Sequence, residues 1–431
     1  MLFALGNGRF LDKVGIQMPS YPSPKDLSFS QSRPYLKTLG TDLLDFLQEV
    51  QRDHGDFVHL KVPLFKVMVI SDPEWVRLLM TNLHTNLQKP QILKKRAARY
   101  GTTGVFIDDG EKWKRGRQQF TELFHRKRIA EAPNLATHIT GKFDRMIAAN
   151  NEQTVVHFFF ELVMDVVLQF TYDFPSGRLD PDITELFFSV HDLFYGDLNR
   201  PMVAPMWMPT PHNLVIKKIN NRFQHNVDTI IEHVAQQRPD APNLGDEVNT
   251  MFLAGMEAPS AMLSWCLYNI VERPEVAATL LASVESDPAD VSSAKIQSFI
   301  NEVMRLFPAA YLFNREVATE FTHHNIVFPK GTQLFMAPYL VHRNETAFGE
   351  SRTFRWDRFL ETTNKMHLPF GAGARYCPGA QFSYVIAEII MRHLLLHYRV
   401  ENVSLMPIKP TPMLSLSPGP QFRCVLRRKD A

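Results

Sequence analysis

The sequence predicts a mainly helical protein with a small β-rich region, an α+β fold that forms one domain over residues 1–431. Long apolar segments with helical spacing dominate from residue 109 onward. Short β-rich runs occur near the start of the chain and again late in it. No linker divides the sequence, and 29 prolines spread along it argue against a repeat solenoid.

The individual elements follow from local patterns. The opening segment, about residues 1–34, is rich in Pro and Ser and is expected to be irregular. Helices are predicted over residues 42–52, over most of 109–237 with breaks at 173–182 and 201–211, and over 246–271, 294–306 and 380–398. Strands are predicted over 57–60 and 67–70, within 317–340, and over 418–428. The break at 201–211 carries Met202, Met206, Trp207 and Met208, and is either a mobile cover over an apolar site or a loop whose apolar residues pack down.

Composition excludes several classes of function. Hydrophobic residues make up 45% of the chain and the net charge is +2, so the global charge balance does not suggest nucleic acid, although local basic clusters stay open. No apolar run approaches the roughly 20 residues that span a bilayer, and the start lacks a signal-peptide layout. Cys266, Cys377 and Cys424 are too few and too widely spaced for a disulfide framework. A monomer in the reducing cytoplasm, without a membrane anchor, is therefore expected.

Residues 370–379 form the most informative segment. Its glycines allow tight turns close to a flat ligand, and Cys377 stands where a helix is about to begin, so free N–H groups would stabilise its thiolate. Pro378 has no N–H, so Gly379 and Ala380 are expected to donate to the sulfur. Arg375 is placed to pair with a carboxylate of the ligand. A lone cysteine is more often a small buried hydrophobe, and the surrounding spacing argues against that interpretation.

That spacing, F-x-x-G-x-R-x-C-x-G from Phe370 to Gly379, resembles the haem-binding loop of the cytochrome P450 family. Three further motifs of the family occur in order. The segment 302–305 matches E-x-x-R, the segment 354–359 stands in the place of F-x-P-E-R-F, and the segment 113–117 matches W-x-x-x-R. Trp356 and Asp357 replace the usual Pro-Glu and leave the arginine of that motif intact. The resemblance covers roughly residues 40–428.

The resemblance implies a helical prism around a buried haem b, with Cys377 as the ligand of the iron. It also implies roles for other residues. Those expected to hold the cofactor are Trp113, Arg117, Arg315, Phe370, Arg375 and Gly379, and those expected to form a buried ion triad are Glu302, Arg305 and Arg358. Cys266 and Cys424 match no ligand position and are interpreted as core residues.

The sequence departs from the family at Ala258, where the pattern A-G-x-[D/E]-T-[T/S] has a threonine whose hydroxyl helps to deliver protons. Pro259 crowds the carbonyl of Gly255, so the bend of this helix is expected to persist. Ser260 lies about 200° further around the helix, so its hydroxyl is expected to bond back to Met256. Glu257 is either a proton carrier or water anchor, or a partly exposed structural carboxylate. The catalytic candidates are therefore Glu257, Ala258 and Pro259.

Three functions stay open at this point. The favoured one is an oxygen-dependent monooxygenase in which a substrate hydroxyl or an ordered water replaces the missing side chain, because substrate-assisted protonation needs only one well-placed group. The second is a peroxide-dependent enzyme, or one that catalyses a rearrangement or dehydration. The third is a non-enzymatic haem sensor or carrier, which is disfavoured because an axial thiolate promotes oxygen activation.

The resemblance also places the substrate and the electron donor. The residues expected to face substrate are Phe106, Phe252, Ala254, Ala258, Tyr311 and Met413. They are nearly all apolar and suit a terpenoid, fatty-acyl, polyketide or aromatic compound, as in secondary metabolism. The chain is too short for a fused reductase, so a ferredoxin or flavodoxin is expected to dock on a basic cluster formed by Lys112, Lys114, Arg115, Arg126, Lys127 and Arg128, although such clusters can also be plain solvated surface.

Overall fold

The computed structural model describes residues 21–62, 65–132, 134–200, 202–241, 243–286, 293–361 and 363–429. Helix accounts for 56% of it and the sheets are small, which confirms the predicted fold class. The helices are α1 (Phe29–Ser32), α2 (Leu36–Thr41), α3 (Leu43–His54), α4 (Pro73–Thr81), α5 (Gln91–Ala98), α6 (Gly110–Leu123), α7 (Arg126–Ala130), α8 (Leu135–Ala149), α9 (Val155–Tyr172), α10 (Ile183–Asn199), α11 (Pro211–Gln237), α12 (Leu244–Thr250), α13 (Glu257–Val271), α14 (Pro274–Ser286), α15 (Ala294–Leu306), α16 (Pro338–Val341) and α17 (Ala380–His397).

The strands are short and form four sheets in the part of the chain described. They are β1 (Lys25–Leu27), β2 (Phe57–Val62), β3 (Phe65–Ile70), β4 (Leu87–Gln88), β5 (Glu152–Thr154), β6 (Phe313–Val317), β7 (Phe321–His323), β8 (Ile326–Phe328), β9 (Gln333–Met336), β10 (Tyr398–Asn402), β11 (Thr411–Pro412), β12 (Leu416–Ser417) and β13 (Arg423–Arg428). The largest sheet has the order β1-β2-β3-β9-β6-β4, and the other orders are β10-β13-β5, β11-β12 and β7-β8.

The six-stranded sheet joins the early and late parts of the chain. The hairpin β2-β3 is antiparallel, with Phe57 opposite Ile70, and β3 then pairs in parallel with β9, with Val67 opposite Gln333. Alternate side chains of β3 enter two different apolar clusters, because successive residues of a strand point to opposite faces. The sheet therefore fixes the position of β6, which follows residues that line the cavity described below.

The N-terminal segment is more regular than the sequence predicts. Residues 1–20 lie outside the described residues, but β1, α1 and α2 lie within or just after the segment expected to be irregular. Ser28 caps α1 in a reciprocal pair with Gln31, and β1 adds in parallel to β2. The capping box and the pairing with a distant strand stabilise this segment. Its Pro and Ser content predicts neither of them.

Helix α9 is the most apolar element and lies at the centre of the protein. It is the one described helix long and apolar enough to cross a membrane, yet 78% of its residues are buried inside the protein. Phe158, Phe159 and Phe160 lie in the main core cluster, which also receives side chains from α13 and α17. Its composition is thus that of a core helix, packed on all sides.

Helix α15 shows how the apolar spacing produces the fold. Ile296, Phe299, Ile300 and Val303 recur at helical spacing and are fully buried. The helix spans the residues that the sequence predicts, and its last turn carries the buried Glu302 and Arg305.

Candidate active site

A cavity of about 300 Å³ lies between α6, α13, α17, the residues before β6 and the loop that carries Cys377. Its wall along the α12–α13 segment includes Ala254, Gly255, Ala258 and Pro259. Cys377 lies on the cavity wall together with Phe370 and Gly379. The structure therefore brings the cysteine loop and the helix segment around Ala258 to one mainly apolar cavity.

The backbone of the loop fixes the position of Cys377. The Cys377 N–H donates to the carbonyl of Phe370 at 3.0 Å, which closes the turn. Gly373 adopts a φ of +66°, and a Cβ there would lie 2.3 Å from the carbonyl oxygen of Met80, so only glycine fits against α4. This close approach explains one of the two glycines in the motif.

The sulfur of Cys377 lies at the start of α17. Burial raises the pKa of the thiol, while N–H groups of Gly379 and Ala380 and the charge of Arg117 act in the opposite direction. Gly379 and Ala380 are the two donors that the sequence predicts, because Pro378 has no N–H. The thiol is free, as are the two other cysteines, Cys266 and Cys424, which are buried in the core.

Four cations line the same cavity. The side chains are Lys89, Arg117, Arg315 and Arg375. Burial lowers the pKa of Arg315 to about 10, helped by repulsion from Arg375, and burial lowers the pKa of Lys89 well below its usual value. In the described part of the chain, the side chains of Lys89, Arg117 and Arg315 form no ion pair. Such buried, uncompensated charge is costly unless an anionic ligand balances it.

Arg375 is held differently from the other cations. It forms an ion pair with Asp109 and donates to the carbonyl of Asp108 at 3.0 Å, and its guanidinium lies 4.5 Å from the centre of the Trp113 ring. Asp109 also pairs with Lys94 at 2.8 Å. The arginine and the tryptophan are therefore oriented before any ligand binds, and both reach the cavity.

Lys89 lines the cavity, although the sequence does not predict it there. It is 8% exposed, and its ammonium lies 4.3 Å from the centre of the Phe106 ring. Its backbone N–H donates to Asp109 at 2.9 Å, which ties it to the Arg375 cluster. A single lysine before a proline has no distinctive pattern, so only the tertiary structure reveals this position.

Glu302, Arg305 and Arg358 come together away from the cavity. The two carboxylate oxygens of Glu302 each accept a bond of 2.8 Å from Arg305, and Arg358 donates to the same carboxylate at 3.0 Å. Glu302 and Arg305 are fully buried. The Arg355 N–H adds a further bond of 2.8 Å to Glu302, so the carboxylate fixes the segment before the cysteine loop.

His342 links this triad to the cysteine loop. Its Nδ1 lies 3.2 Å from the carbonyl oxygen of Arg305, and its Nε2 accepts the N–H of Leu368 at 2.8 Å. Burial lowers the pKa of His342 well below its usual value, so the ring is neutral, with its proton on Nδ1. His342 therefore connects the ion triad to the start of the cysteine loop by hydrogen bonds.

The α12–α13 segment contains a π turn that the sequence does not predict. Residues Met251–Met256 form a π-helix, upstream of Pro259. Ser260 donates to the carbonyl of Met256 at 2.6 Å, which confirms the predicted back-bond and directs this hydroxyl away from the role of the missing threonine. The widened turn brings Leu253 as well as Ala254 and Gly255 to the cavity wall.

Some residues predicted to face the cavity lie behind its wall. Phe106, Ala254, Ala258 and Pro259 line the cavity, whereas Phe252, Tyr311, Met413 and Glu257 do not. Phe252 packs against Phe223, and the hydroxyl of Tyr311 donates to the carbonyl of Met413 at 3.0 Å. Their neighbours Leu253, Ala310 and Leu414 occupy the wall in this structure, and the assignment of Phe252, Tyr311 and Met413 to the substrate surface stays a prediction.

A family model described as Cytochrome P450 matches residues 22–244 and 235–425. The chain belongs to the cytochrome P450 family. Pentalenene oxygenase of Streptomyces avermitilis is 25% identical over 384 residues, which cover 80% of this chain and 84% of that protein. Cyclooctatin synthase of Streptomyces melanosporofaciens is 31% identical over 188 residues, 41% of each chain.

Solved structures show the same P450 fold. The crystal structure of CYP175A1 from Thermus thermophilus superposes with a TM-score of 0.78 at 22% identity and covers 94% of this chain and 100% of that one. A six-coordinated cytochrome P450 from another strain of Thermus thermophilus gives a TM-score of 0.74 at 21% identity, with 90% and 99% coverage.

Membership of the P450 family makes the chain a haem-dependent oxidoreductase of the monooxygenase type, with haem b as its cofactor. The residues of the cavity fit that group. A thiol hydrogen-bonded by N–H groups suits an anionic ligand of iron, and the buried cations suit the two propionates of haem. Among the described residues, no three His, Cys, Asp or Glu side chains converge on a site for a bare metal ion.

Proposed function

We propose that this P450 is an oxygen-dependent monooxygenase that oxidises a hydrophobic small molecule and receives electrons from a separate protein. The proposal depends on one observation. Cys377 shares a mainly apolar cavity with Lys89, Arg117 and Arg315, which form no ion pair in the described chain, as expected for a haem held by its thiolate and its propionates. When bound, the haem supplies the activation of oxygen, and the protein supplies binding, orientation and protons.

The side chains around the cavity would divide the work of holding the cofactor. Cys377 would bind the iron, while Arg117, Arg315 and Lys89 would neutralise the propionates. Trp113 and Arg375, already fixed by Asp109, would complete that contact. Phe370 and Gly379 would pack beside the sulfur, and Glu302, Arg305 and Arg358 would keep the loop in position. The pocket would favour a doubly anionic group, because attraction to two negative charges would offset the desolvation cost of the cations.

The substrate would lie against Phe106, Leu253, Ala254, Ala258 and Leu414. These side chains carry no charge, so they would exclude water and select by shape. Pentalenene oxygenase and 11-oxo-beta-amyrin 30-oxidase, two relatives of the chain, are named for pentalenene and 11-oxo-beta-amyrin. Within the hydrophobic classes considered, we therefore favour a terpenoid of secondary metabolism as the substrate.

Ala258 supports one alternative. Since this position has no hydroxyl, a peroxide-dependent reaction, or a rearrangement that needs no proton delivery, is the second candidate function. The two candidates differ in what drives turnover. With a panel of terpenoid and fatty-acyl compounds, we expect product when oxygen, NADPH and a ferredoxin–reductase pair are supplied, and much less when hydrogen peroxide replaces them. Equal or greater turnover with peroxide alone would favour the alternative.

The electron donor would dock near Arg115 and Arg126. Of the predicted basic cluster, Lys112, Lys114 and Lys127 are engaged with acidic neighbours, and Arg128 donates to the carbonyl of Phe170. Arg115 and Arg126 are exposed and form no ion pair in the described part of the chain. Tyr376, next to Cys377, is 44% exposed, and burial raises its pKa while the nearby Arg126 acts against this shift.

We expect the double variant Arg115→Glu/Arg126→Glu to slow reduction by a ferredoxin about tenfold or more at low salt, since complementary charge mainly sets the association rate. Stopped-flow reduction at several salt concentrations measures it. The control Arg399→Glu reverses an exposed arginine of β10 and should leave the rate unchanged. Equal rates for all three proteins would remove this docking site.

We place the monomeric enzyme in the cytoplasm, which its three free cysteines support.

A further inference from the structure

Two walls of the cavity meet where the loop before α6 touches α12. The loop, residues 101–109, supplies Val105 and Phe106 to the cavity wall. Helix α12 leads directly into the π turn, which supplies Leu253 to the same cavity. Gly104 of the loop is buried against α12, so it lies at the junction of the two walls.

The approach of Gly104 to α12 is too close for any side chain. A Cβ at this position would lie 2.5 Å from the carbonyl oxygen of Asp246 and closer still to Oγ1 of Thr250. The carbonyl belongs to the backbone of a helix, so it cannot turn away as a side chain could. Gly104 also has a φ of +106°, which residues with a Cβ rarely adopt. Only glycine therefore allows the loop and the helix to lie this close together.

The position of Gly104 determines that of the residues that follow it. The carbonyl of Gly104 accepts the N–H groups of Ile107 and Asp108, both at 3.0 Å, which closes a turn around Val105 and Phe106. Ile107 is 6% exposed and packs in an apolar cluster that Phe106 also contacts. A closed turn moves as a unit, so a displacement at Gly104 would carry both wall residues with it.

An ion bridge holds the same junction from outside. The ammonium of Lys112 on α6 lies 3.3 Å from Asp108 of the loop and 3.0 Å from Asp246 of α12. The hydroxyl of Thr250 adds a long bond of 3.5 Å to the carbonyl of Thr103. The side chain of Lys112 is half exposed, so we expect this bridge to contribute less than the buried contact.

We propose that the contact of Gly104 with α12 sets the distance between these two walls and thereby limits the size of the substrate. The link to substrate choice rests on the proposed function. Gly104 is a positioning residue, because it acts through Val105 and Phe106. A residue with a Cβ there would push the loop away from α12 and widen the cavity. In apolar pockets a difference of one methylene group changes selectivity by about 10–200-fold, so a small displacement of the wall is enough.

Binding of two azoles of different size to the haem-loaded protein tests this spacing without turnover. Absorbance titrations give the dissociation constants of 4-phenylimidazole, which is small, and of clotrimazole, which is bulky. In Gly104→Ala the ratio of the two affinities should shift by about tenfold or more in favour of clotrimazole. The small azole loses contact with the displaced wall, and the bulky one gains room. A variant that was merely less stable would bind both azoles more weakly and would keep their ratio.

Gly101→Ala is the matched control at the other end of the same loop. Gly101 also has a positive φ, +66°, but a Cβ there would meet only the ends of two side chains of α11, at 3.9 and 4.0 Å. This variant carries backbone strain without a clash against α12, so the affinity ratio should stay as in wild type. Adding Thr250→Ala to Gly104→Ala should not restore the ratio, because the carbonyl of Asp246 stays in place.

A gentler variant decides the matter if Gly104→Ala does not fold. Lys112→Gln removes the outer bridge of the junction, and its half-exposed position makes a folded protein the expected result. The affinity ratio should shift in the same direction by about twofold, as suits a solvent-screened ion pair. Lys114→Gln is its control on the same helix, since Lys114 pairs with the exposed Glu111 at 2.6 Å, away from the junction. This control should leave the ratio unchanged.

The possible failures are distinguishable. A folded Gly104→Ala protein whose two affinities are unchanged, or fall in parallel, would overturn the role of the contact and leave the proposed function standing. An equal shift in Gly101→Ala would overturn it as well, because strain in the loop would then be the cause. If only the Lys112→Gln protein folds, an unchanged ratio there has the same consequence. A wild-type protein that makes product with peroxide but never with oxygen would refute the proposed function, while the azole ratio would still decide whether Gly104 sets the spacing.

Discussion

Replacing Cys377 by serine should leave a folded protein that no longer shows the thiolate-type absorption of its reduced, carbon monoxide-bound form and has lost essentially all oxygen-dependent turnover. An alcohol is a far weaker acid than a thiol and would not supply the anionic, electron-donating ligand. The loop itself should persist, because the bond from the Cys377 N–H to Phe370 and the contact of Gly373 with α4 belong to the backbone.

Cys266→Ser provides the matched control. Cys266 is also a free, buried cysteine, but it lies in the core of α13 and burial raises the pKa of its thiol strongly, so it has no means to form a thiolate. This variant is expected to lose some stability and to keep the spectrum. A Cys377→Ser protein with the thiolate-type spectrum would contradict the assignment of the iron ligand.

The second large effect is expected at Glu302. Glu302→Gln keeps the size of the side chain but leaves Arg305, fully buried, and Arg358, mostly buried, without the carboxylate they share. Removing one partner of a buried ion pair costs about 3–5 kcal/mol. We expect a fall of that size in the free energy of unfolding, measured by urea denaturation of the haem-loaded protein, together with faster loss of haem.

An exposed pair gives the comparison. Arg222 and Asp182 approach to 2.8 Å, but both side chains are about half exposed. Asp182→Asn should leave the free energy of unfolding nearly unchanged, since solvent screens such pairs. Similar losses in both variants would show that Glu302 is not a stabilising centre of the fold.

The sequence predicts those parts of the fold that depend on periodicity and on local chemistry. Residues 294–306 alternate apolar and polar side chains at helical spacing, and α15 spans these residues. The missing N–H of Pro378 directs Gly379 and Ala380 to the sulfur, and the geometry of a helix directs Ser260 back to Met256. These inferences succeed because each involves residues within one or two turns of each other.

The sequence does not predict features that packing imposes from a distance. Nothing in the apolar run of residues 251–256 distinguishes a π turn from an α turn, so the sequence does not show that Leu253 lines the cavity. Lys89 reaches the cavity because β4 pairs with β6, more than 200 residues away along the chain. His191 of α10 reaches Glu257 of α13 only in the tertiary structure, and no local pattern marks that contact.

The π turn also limits how this enzyme can change. Each residue advances a helix by about 100°, and a π turn holds one residue more than an α turn. Deleting a single residue within Met251–Met256 would therefore turn the π turn into an α turn, leave Ala258 and the residues after it in register with α12, and change which side chains of this stretch face the cavity. New substrates can be reached by exchanging single side chains along this stretch, whereas losing one residue would change several positions of the cavity wall at once.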